Sequence, residues 1–328
     1  MKKILIFGGS GLLGINFSHL LKKNYNVTSV FNNNIIEIDG VNCIKYNIIL
    51  DNSVEKLVHE FEPEIIINCA GLANVEKCEI DKINADKLNS LFPEKLALVS
   101  KKYGIKLVHI STDHLYDGKK AFRTENHDAS PQNNYAISKL SGDLKVLESN
   151  SNVLVIRTNF FGNLHHNIPS FSEFIIKSLV SKKKVYLFDD MFFTPIHIRT
   201  LLECIIKLLQ NDKSGIYNVT SSQRISKYDF GIRIADLLDL DKSFISSSKL
   251  IDRIDLVKRP FDLSLSNKKL KNVVNKDILT LQKQLEFLKL NKWFYKKIIF
   301  IIHEIPSINS FDFIYKLENG KLTKLNLV

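Results

Sequence analysis

The stretch KILIFGGSGLLG, residues 3–14, decides the fold that the rest of the chain follows. Its first five residues form a short apolar run, which is typical of a strand covered on both faces of a sheet. Gly8, Gly11 and Gly14 then make a G-x-x-G-x-x-G pattern that runs into the amphipathic stretch Leu12–Lys23. Glycine is required where a chain turns sharply and where backbone approaches a phosphate closely. The pattern predicts a strand, a tight turn and a helix whose N-terminus binds an anion.

Further apolar runs alternate with helix-length stretches through the first half of the chain. The predicted strands are Lys3–Phe7, Val27–Val30, Cys43–Tyr46, Ile65–Cys69, Lys106–Ile110 and Val153–Ile156. The predicted helices are Leu12–Lys23, Asn52–Phe61, Asp86–Lys102 and Asn134–Glu148. This alternation predicts an α/β fold with a doubly wound parallel sheet of the Rossmann type.

The alternation loosens after about residue 160. Helices are predicted at Phe171–Ser181, Ile196–Leu209, Tyr228–Leu238 and Ile278–Leu288, and short strands at Val185–Leu187 and Gly215–Val219. We therefore expect a Rossmann domain over residues 1–160, completed by returning segments from the second half of the chain. A smaller α/β C-terminal substrate lobe follows over 161–290, and the tail 291–328 shows no clear period and no evident role.

Composition excludes several classes of protein. The chain has 328 residues, 45% of them hydrophobic and 25% charged, which is ordinary for a globular protein with a sizeable core. The net charge of +11 comes without a basic helix or an arginine cluster interleaved with aromatic residues, so nucleic acid is not an expected partner. A small substrate bearing phosphate is a better use of this modest positive charge.

Cysteine spacing and the N-terminus indicate a cytoplasmic protein. None of the four cysteines forms a C-x-x-C pair, so neither a zinc site nor a disulfide framework is expected, and we predict no metal. The opening MKKILIFGG resembles a signal peptide only briefly, because glycines interrupt the apolar run. The apolar run Ile298–Ile302 is far too short to span a bilayer. The sequence leaves the oligomeric state open, with a homodimer among the states that it allows.

The glycine turn predicts a dinucleotide cofactor. Its cofactor-binding candidates are Gly8, Ser10, Gly11, Leu12, Leu13 and Gly14. At the end of the second strand an acidic residue would bind the ribose of NAD, and a basic residue would accommodate the 2′-phosphate of NADP. This chain has neither, and Asn32 can hydrogen-bond to both forms. Because the missing carboxylate removes one cause of NADP rejection, NADPH is the preferred cofactor and NADH the alternative.

A tyrosine and a lysine four residues apart, Tyr135 and Lys139, lie in a predicted helix and share one face of it. A free tyrosine has a pKa of about 10. A neighbouring ammonium favours the phenolate, so we expect the pair to bring the pKa of Tyr135 closer to working pH. Thr112 follows the predicted strand Lys106–Ile110, at the sheet edge where open α/β sheets bind ligands. Its hydroxyl is placed to hydrogen-bond a substrate carbonyl.

Together these motifs resemble the extended short-chain dehydrogenase/reductases and, within them, the dTDP-4-dehydrorhamnose reductase (RmlD-like) group. The resemblance covers roughly residues 1–290 and rests on the order of the motifs. They are the glycine turn, NCAG at 68–71, STDHLYDG at 111–118, PQNNYAISK at 131–139, RTNFFG at 157–162, DDMFFTP at 189–195 and RPFDLSL at 259–265.

The resemblance implies hydride transfer to the C4 ketone of a nucleotide-linked 6-deoxy-4-keto sugar, as in the synthesis of cell-surface polysaccharide precursors. It implies that Tyr135 gives the proton, that Lys139 tunes Tyr135 and binds the ribose, and that Thr112 polarises the ketone. Ala70 and Gly71 would contact the cofactor. The substrate-binding candidates are Ser111, Thr112, Asp113, His114, Asn159, Phe160 and Arg259, with Phe160 against the sugar and Arg259 on the phosphates.

Two departures from the family pattern bear on the site. Asn47 stands where the family often carries an acidic residue, which leaves the adenine contact open although Asn47 remains a cofactor-binding candidate. Asp143 stands where a glutamate commonly follows the Tyr–Lys motif.

Three other functions share part of this sequence pattern. A 4,6-dehydratase would carry an acidic pair after the threonine, and here Asp113 is followed by His114. A nucleotide-sugar epimerase shares the Tyr–Lys chemistry and stays open, and His114 could titrate near neutrality. A non-catalytic NAD(P)-binding regulatory subunit also stays open, because fold alone does not establish function.

Overall fold

The structure is a computed structural model that describes residues 1–32, 35–47, 54–163 and 169–289, and the backbone of 314–318 and 321–325. Its strands are β1 Lys3–Phe7, β2 Asn26–Phe31, β3 Asn42–Lys45, β4 Ile65–Asn68, β5 Lys106–Ile110, β6 Val153–Arg157, β7 Phe160–Phe161, β8 Val185–Phe188, β9 Phe192–Phe193, β10 Ile196–His197, β11 Gly215–Asn218, β12 Ile225–Ser226, β13 Ile245–Ser248, β14 Ile314–Glu318 and β15 Lys321–Leu325.

Ten α-helices lie within the described residues. They are α1 Leu12–Leu21, α2 Val54–Phe61, α3 Val75–Ile80, α4 Lys82–Asp86, α5 Phe92–Lys102, α6 Asn134–Ser149, α7 Phe171–Val180, α8 Ile198–Gln210, α9 Lys227–Leu238 and α10 Leu281–Lys289. None of the helices in the described ranges is long and apolar enough to cross a membrane.

Seven parallel strands form the main sheet, in the order β11-β6-β5-β4-β1-β2-β3. The predicted doubly wound parallel sheet is therefore confirmed. Side chains alternate across each strand. Ile4 and Ile6 of β1 face the core that contains α1 and α8, whereas Leu5 and Phe7 face the core that contains α2 and α5. Burial on both faces explains why β1, β4, β5 and β6 read as continuous apolar runs.

A second, smaller core lies in the second half of the chain. It is built from α7, α9 and α10 and from the paired strands β8 and β13. Its centre is aromatic: the ring centroids of Phe161 and Phe193 lie 5.2 and 5.3 Å from that of Phe230. Not every later segment belongs to it, because β11 pairs with β6 and completes the main sheet. The described residues of the tail form a hairpin of β14 and β15.

Three predicted helices are divided in the structure. The predicted helix Asp86–Lys102 consists of the end of α4, a π-helical turn over Lys87–Leu91 and α5. The predicted helix Ile196–Leu209 begins with the two residues of β10, because Ile196–His197 pairs with β7 before α8 starts.

The start of the predicted helix Asn52–Phe61 lies outside the described residues, and α2 is described from Val54. The predicted helix Ile278–Leu288 is a short 3-10 turn, Lys276–Leu279, followed by α10.

A buried ion pair joins β6 to α6 beneath the carboxyl edge of the sheet. The Arg157 Nε donates to Asp143 Oδ2 at 3.1 Å, and its Nη1 donates to the Tyr116 hydroxyl at 3.0 Å. Asp143 is fully buried, and Arg157 nearly so. Removing one member of a buried pair leaves the other charge without compensation. The aspartate at this position therefore has a structural role in this chain.

We expect Asp143→Ala to lower the free energy of unfolding by about 3–5 kcal/mol, because the Arg157 guanidinium stays buried without its carboxylate. Urea unfolding followed by circular dichroism measures this loss. The control is Glu55→Ala, which removes the partner of Lys102 (3.0 Å) at an exposed pair and should change stability little. Equal losses in the two variants would contradict the assignment.

Candidate functional site

The candidate site lies at the carboxyl ends of β1, β4 and β5. The strand order changes direction at β1, which has β2 on one side and β4 on the other. In an open α/β sheet, ligands bind in the crevice outside the strands at such a switch point. The predicted glycine turn, NCAG segment and STDHLYDG segment all follow these three strands.

The glycine turn has the geometry that a pyrophosphate requires. Gly8 has a φ of +86°, and a Cβ on it would lie 2.6 Å from the backbone nitrogen of Ala70. A Cβ on Gly14 would overlap the Gly8 carbonyl oxygen. Gly11 precedes α1 with extended backbone, and in the described residues no side chain caps this N-terminus. Its first N–H groups therefore remain available for an anion.

Gly8→Ala tests the turn, with Gly215→Ala as its matched control. The two glycines have nearly equal φ values, +86° and +82°, but a Cβ on Gly215 has no atom within 4 Å. Both variants carry the strain of a left-handed residue. Only Gly8→Ala must displace the 69–70 backbone, so we expect its Kd for NADPH to rise by at least about tenfold, equivalent to about 1.4 kcal/mol. Fluorescence titration measures the Kd, and equal affinities in the two variants would rule out this role.

The adenosine end of the cofactor site is only partly described. Asn32 follows β2, and its buried Oδ1 has no hydrogen-bond partner within the described ranges. Asn47 follows β3. Residues 33–34 and 48–53 are outside the description. An unfilled amide acceptor at the end of β2 is compatible with a ribose hydroxyl, and neither asparagine distinguishes NAD from NADP.

The three predicted catalytic side chains converge at the end of β5. Asn133 caps α6 by accepting from the Ala136 N–H at 2.9 Å, which places Tyr135 in the first turn of the helix. The Thr112 side chain lies close enough to the Tyr135 hydroxyl to lower its pKa. One turn further along, the Lys139 ammonium donates to the Ile110 carbonyl oxygen at 2.7 Å.

The pKa of Tyr135 differs from the sequence expectation. Burial raises it above the ordinary value, the Thr112 side chain lowers it less, and the Asp113 carboxylate raises it further. The expected lowering is therefore wrong for this structure, because burial of the phenol outweighs the causes that lower its pKa. Tyr135 is consequently a phenol at neutral pH, the form that can donate a proton.

Burial also lowers the pKa of Lys139 to about 8, against the opposing effects of the Asp143 carboxylate and the Cys69 thiol. Lys139 is 5% exposed, so its ammonium has little contact with solvent.

Sequence reasoning missed Asn89, which joins the cofactor loop to the catalytic helix. It lies in the π-helical turn, and its Nδ2 donates to Ser138 Oγ and to the Leu72 carbonyl, both at 3.0 Å. Its Oδ1 accepts from the Leu72 N–H at 2.8 Å. Single π turns inside helices are frequent at functional sites. Helical periodicity does not show an inserted residue of this kind, so the sequence offered no signal for it.

A polar cluster extends from Thr112 towards the smaller lobe. Asp113 is 2% exposed, and its Oδ2 accepts from Asn159 Nδ2 at 2.6 Å while its Oδ1 accepts from Thr112 Oγ1 at 3.4 Å. Burial raises the pKa of Asp113 to about 6. The buried Ser111 hydroxyl has no hydrogen bond within the described chain. Phe160, expected against the sugar, packs beside the core that contains α8.

His114 is neutral in this structure. Burial, together with the nearby cations Lys227 and Arg259, lowers its pKa to about 3. Its ring packs edge-on against Tyr135, with centroids 5.6 Å apart. Titration of His114 near neutrality, which the sequence left open, is thus not supported.

The cavity beside this cluster, the lobe cavity, has a volume of about 280 Å³. His114, Lys227 and Arg259 line it, together with apolar and aromatic residues that include Phe171 and Met191. Arg259 forms an ion pair with Glu76 of α3. Lys227 was not among the predicted site residues. A larger cavity of about 840 Å³ lies between α1 and α8 and contains none of the predicted site residues.

No group of three or more histidine, cysteine, aspartate or glutamate side chains in the described part of the chain could hold a metal ion.

Comparisons with known proteins agree with this geometry. The family model described as RmlD substrate binding domain matches residues 1–289. The probable low-salt glycan biosynthesis reductase Agl14 of Haloferax volcanii is 29% identical over 203 residues, covering 61% of this chain and 68% of the relative. The β subunit of methionine adenosyltransferase 2 from Xenopus laevis is 26% identical over 262 residues, covering 74% of each chain.

Among solved structures, a hypothetical dTDP-4-dehydrorhamnose reductase from Sulfolobus tokodaii superposes with a TM-score of 0.75 at 32% identity. The match covers 85% of this chain and 96% of that structure.

Proposed function

Because the chain belongs to the family of the RmlD substrate binding domain, we propose that it reduces the 4-keto group of a nucleotide-linked 6-deoxy sugar. It is an NAD(P)-dependent oxidoreductase with a nicotinamide cofactor and a nucleotide-sugar substrate. The observation that carries the proposal is the convergence of Thr112, Tyr135 and Lys139 at the carboxyl end of β5, where the Lys139 ammonium donates to the Ile110 carbonyl oxygen. The glycine turn after β1 supplies the cofactor cradle at the same sheet edge.

The nicotinamide, when bound, supplies the hydride for this reduction. Thr112 and Tyr135 would bind the ketone oxygen through their hydroxyls and stabilise the negative charge that develops on it. Tyr135, held as a phenol by burial, would then transfer its proton to that oxygen. The buried Lys139 ammonium would stabilise the tyrosinate that remains and hold the ribose.

Gly8, Gly11 and Gly14 would hold the pyrophosphate, with Ala70 and Gly71 beside it. We propose NADPH as the preferred cofactor, because no carboxylate at Asn32 opposes a 2′-phosphate. The smaller lobe, built on α7, α9 and α10, would hold the nucleotide sugar. We place the enzyme in the cytoplasm, since Cys43, Cys69, Cys78 and Cys204 are all free thiols, as in a reducing compartment.

NADPH oxidation at 340 nm, with a panel of dTDP-linked 4-keto-6-deoxy sugars, tests the proposal. We expect turnover, a 4-hydroxy product and one NADPH consumed per product. NADPH binding without turnover on any keto sugar would favour a non-catalytic NAD(P)-binding subunit instead. Sugar inversion without net NADPH consumption would favour an epimerase.

A further inference from the structure

The Lys227 ammonium occupies a fixed place in the lobe cavity. It lies 3.4 Å from the centroid of the Phe193 ring and 4.7 Å from that of Phe171, which are cation–π contacts. Lys227 is the first residue of α9, and its backbone N–H donates to the Met191 carbonyl oxygen at 3.0 Å. The start of α9 and the rings of Phe171 and Phe193 together hold the Lys227 side chain in one position.

This ammonium has unused hydrogen-bonding capacity. An ammonium carries three donors. Across the described residues, Lys227 has neither a hydrogen bond nor a salt bridge through its side chain. Two other nitrogen atoms in the lining of this cavity also have no hydrogen-bond partner in the described structure. They are the buried His114 Nδ1 and Arg259 Nε. Partly buried polar groups without partners are costly unless a ligand or water satisfies them.

Lys227 lies at the reacting end of the cavity. It interacts electrostatically with Asp113, whose carboxylate contacts the Thr112 hydroxyl at 3.4 Å. Arg259, in contrast, is tied to Glu76 of α3. Of the two cations that line the cavity, Lys227 is the one that acts on Asp113, next to the Thr112 hydroxyl where we place the ketone oxygen, so we take Lys227 as the cation nearer the sugar ring.

We propose that Lys227 is a specificity-determining residue that donates hydrogen bonds to ring hydroxyls of the sugar next to the ketone, whereas Arg259 binds the diphosphate. The inference rests on the proposed function. In this proposal both parts of the chain contribute to the nucleotide-sugar site. Thr112 comes from the main sheet, and Lys227 comes from the smaller lobe. A site built to hydrogen-bond a hydroxyl rejects an analogue that lacks it more strongly than an apolar pocket can.

Binding titrations of three variants test this inference without relying on turnover. Calorimetry measures the Kd of dTDP alone and of a dTDP-linked 6-deoxy sugar for wild type, Lys227→Met and Arg259→Met. We expect Lys227→Met to weaken binding of the sugar nucleotide by roughly tenfold to a hundredfold and to leave dTDP unchanged. Arg259→Met should weaken both ligands by similar factors.

Two control variants separate a direct contact from a structural effect. Lys269→Met removes another lysine that lies over an aromatic ring, 4.1 Å from the Tyr217 centroid, away from the cavity, and it should leave both affinities unchanged. Lys227→Arg keeps the charge and should recover part of the affinity for the sugar nucleotide.

Either of two results for Lys227→Met overturns the assignment. Equal losses for dTDP and for the sugar nucleotide would place Lys227 on the phosphates, and no loss for either would make it structural. A wild-type protein that binds the sugar nucleotide no more tightly than dTDP would also overturn it. If wild type binds the sugar nucleotide but reduces no keto sugar, the proposed reaction fails while the binding test still stands.

Discussion

Tyr135→Phe should lower kcat by about a hundredfold to ten-thousandfold, the range that a positioned general acid contributes. The variant removes only the hydroxyl, which lies near Thr112. The phenyl ring keeps its edge-on contact with His114, so the first turn of α6 should keep its place. Single-turnover rates with NADPH and a dTDP-linked 4-keto sugar measure the loss, and fluorescence titration should give an unchanged Kd for NADPH.

Tyr116→Phe is the matched control for this prediction. The Tyr116 hydroxyl accepts from Arg157 Nη1 at 3.0 Å and donates to the Thr124 carbonyl oxygen at 3.0 Å, both away from Tyr135. Its removal should lower stability while kcat stays within a few-fold of wild type. A similar fall in kcat in both variants would show that Tyr135 acts through packing, and the proton-donor role would then be wrong.

Lys139→Met should lower kcat by at least about a hundredfold, because the tyrosinate formed at Tyr135 loses its neighbouring cation. The same variant should weaken NADPH binding, which distinguishes it from Tyr135→Phe. Both effects follow from the position of the Lys139 ammonium. It donates to the Ile110 carbonyl oxygen at 2.7 Å and so lies between the end of β5 and α6. Normal kcat in Lys139→Met would remove the lysine from the mechanism.

The pH dependence of kcat carries the signature of Lys139. Its pKa is lowered to about 8, so the ammonium is lost as pH rises through 8 rather than through the ordinary value near 10.5. We expect kcat to fall above about pH 8 and this fall to move to higher pH in Lys139→Arg, since a guanidinium stays charged.

Lys227 also has a pKa lowered to about 8 by burial. Lys227→Met is therefore the control, and it should leave the alkaline fall of kcat in place while changing KM.

The fold could be predicted where local pattern and tertiary environment agree. The bounds of β1 and β5 matched residue for residue, because strands buried on both faces consist mainly of apolar residues. The helix of Tyr135 and Lys139 begins at the predicted residue, directly after its N-cap Asn133, and ends one residue later than predicted. Thr112, Tyr135 and Lys139 were brought to one edge by strand order, which parallel topology dictates.

The features that the sequence did not predict depend on contacts between residues that are distant in sequence. The pairing of β10 with β7 converts the first residues of a predicted helix into strand. The pKa of Tyr135 depends on burial of the phenol by residues that are distant in sequence. Lys227 reaches the site because α9 packs against the strands of the lobe, which no short window of sequence reveals. Each is a tertiary effect that overrides or adds to local preference.

The edge strand β11 has a consequence for synthesis on the ribosome. It pairs with β6, but residues 158–214 separate the two in the chain. The sheet therefore cannot be completed until residues 215–218 have left the exit tunnel, and by then β7 to β10 and helices α7 and α8 are already made. A protein fragment ending near residue 160 would present the bare edge of β6, an apolar strand open to pairing with other chains. The two halves of this chain are thus one cooperative unit, whose final assembly is late and rich in long-range contacts.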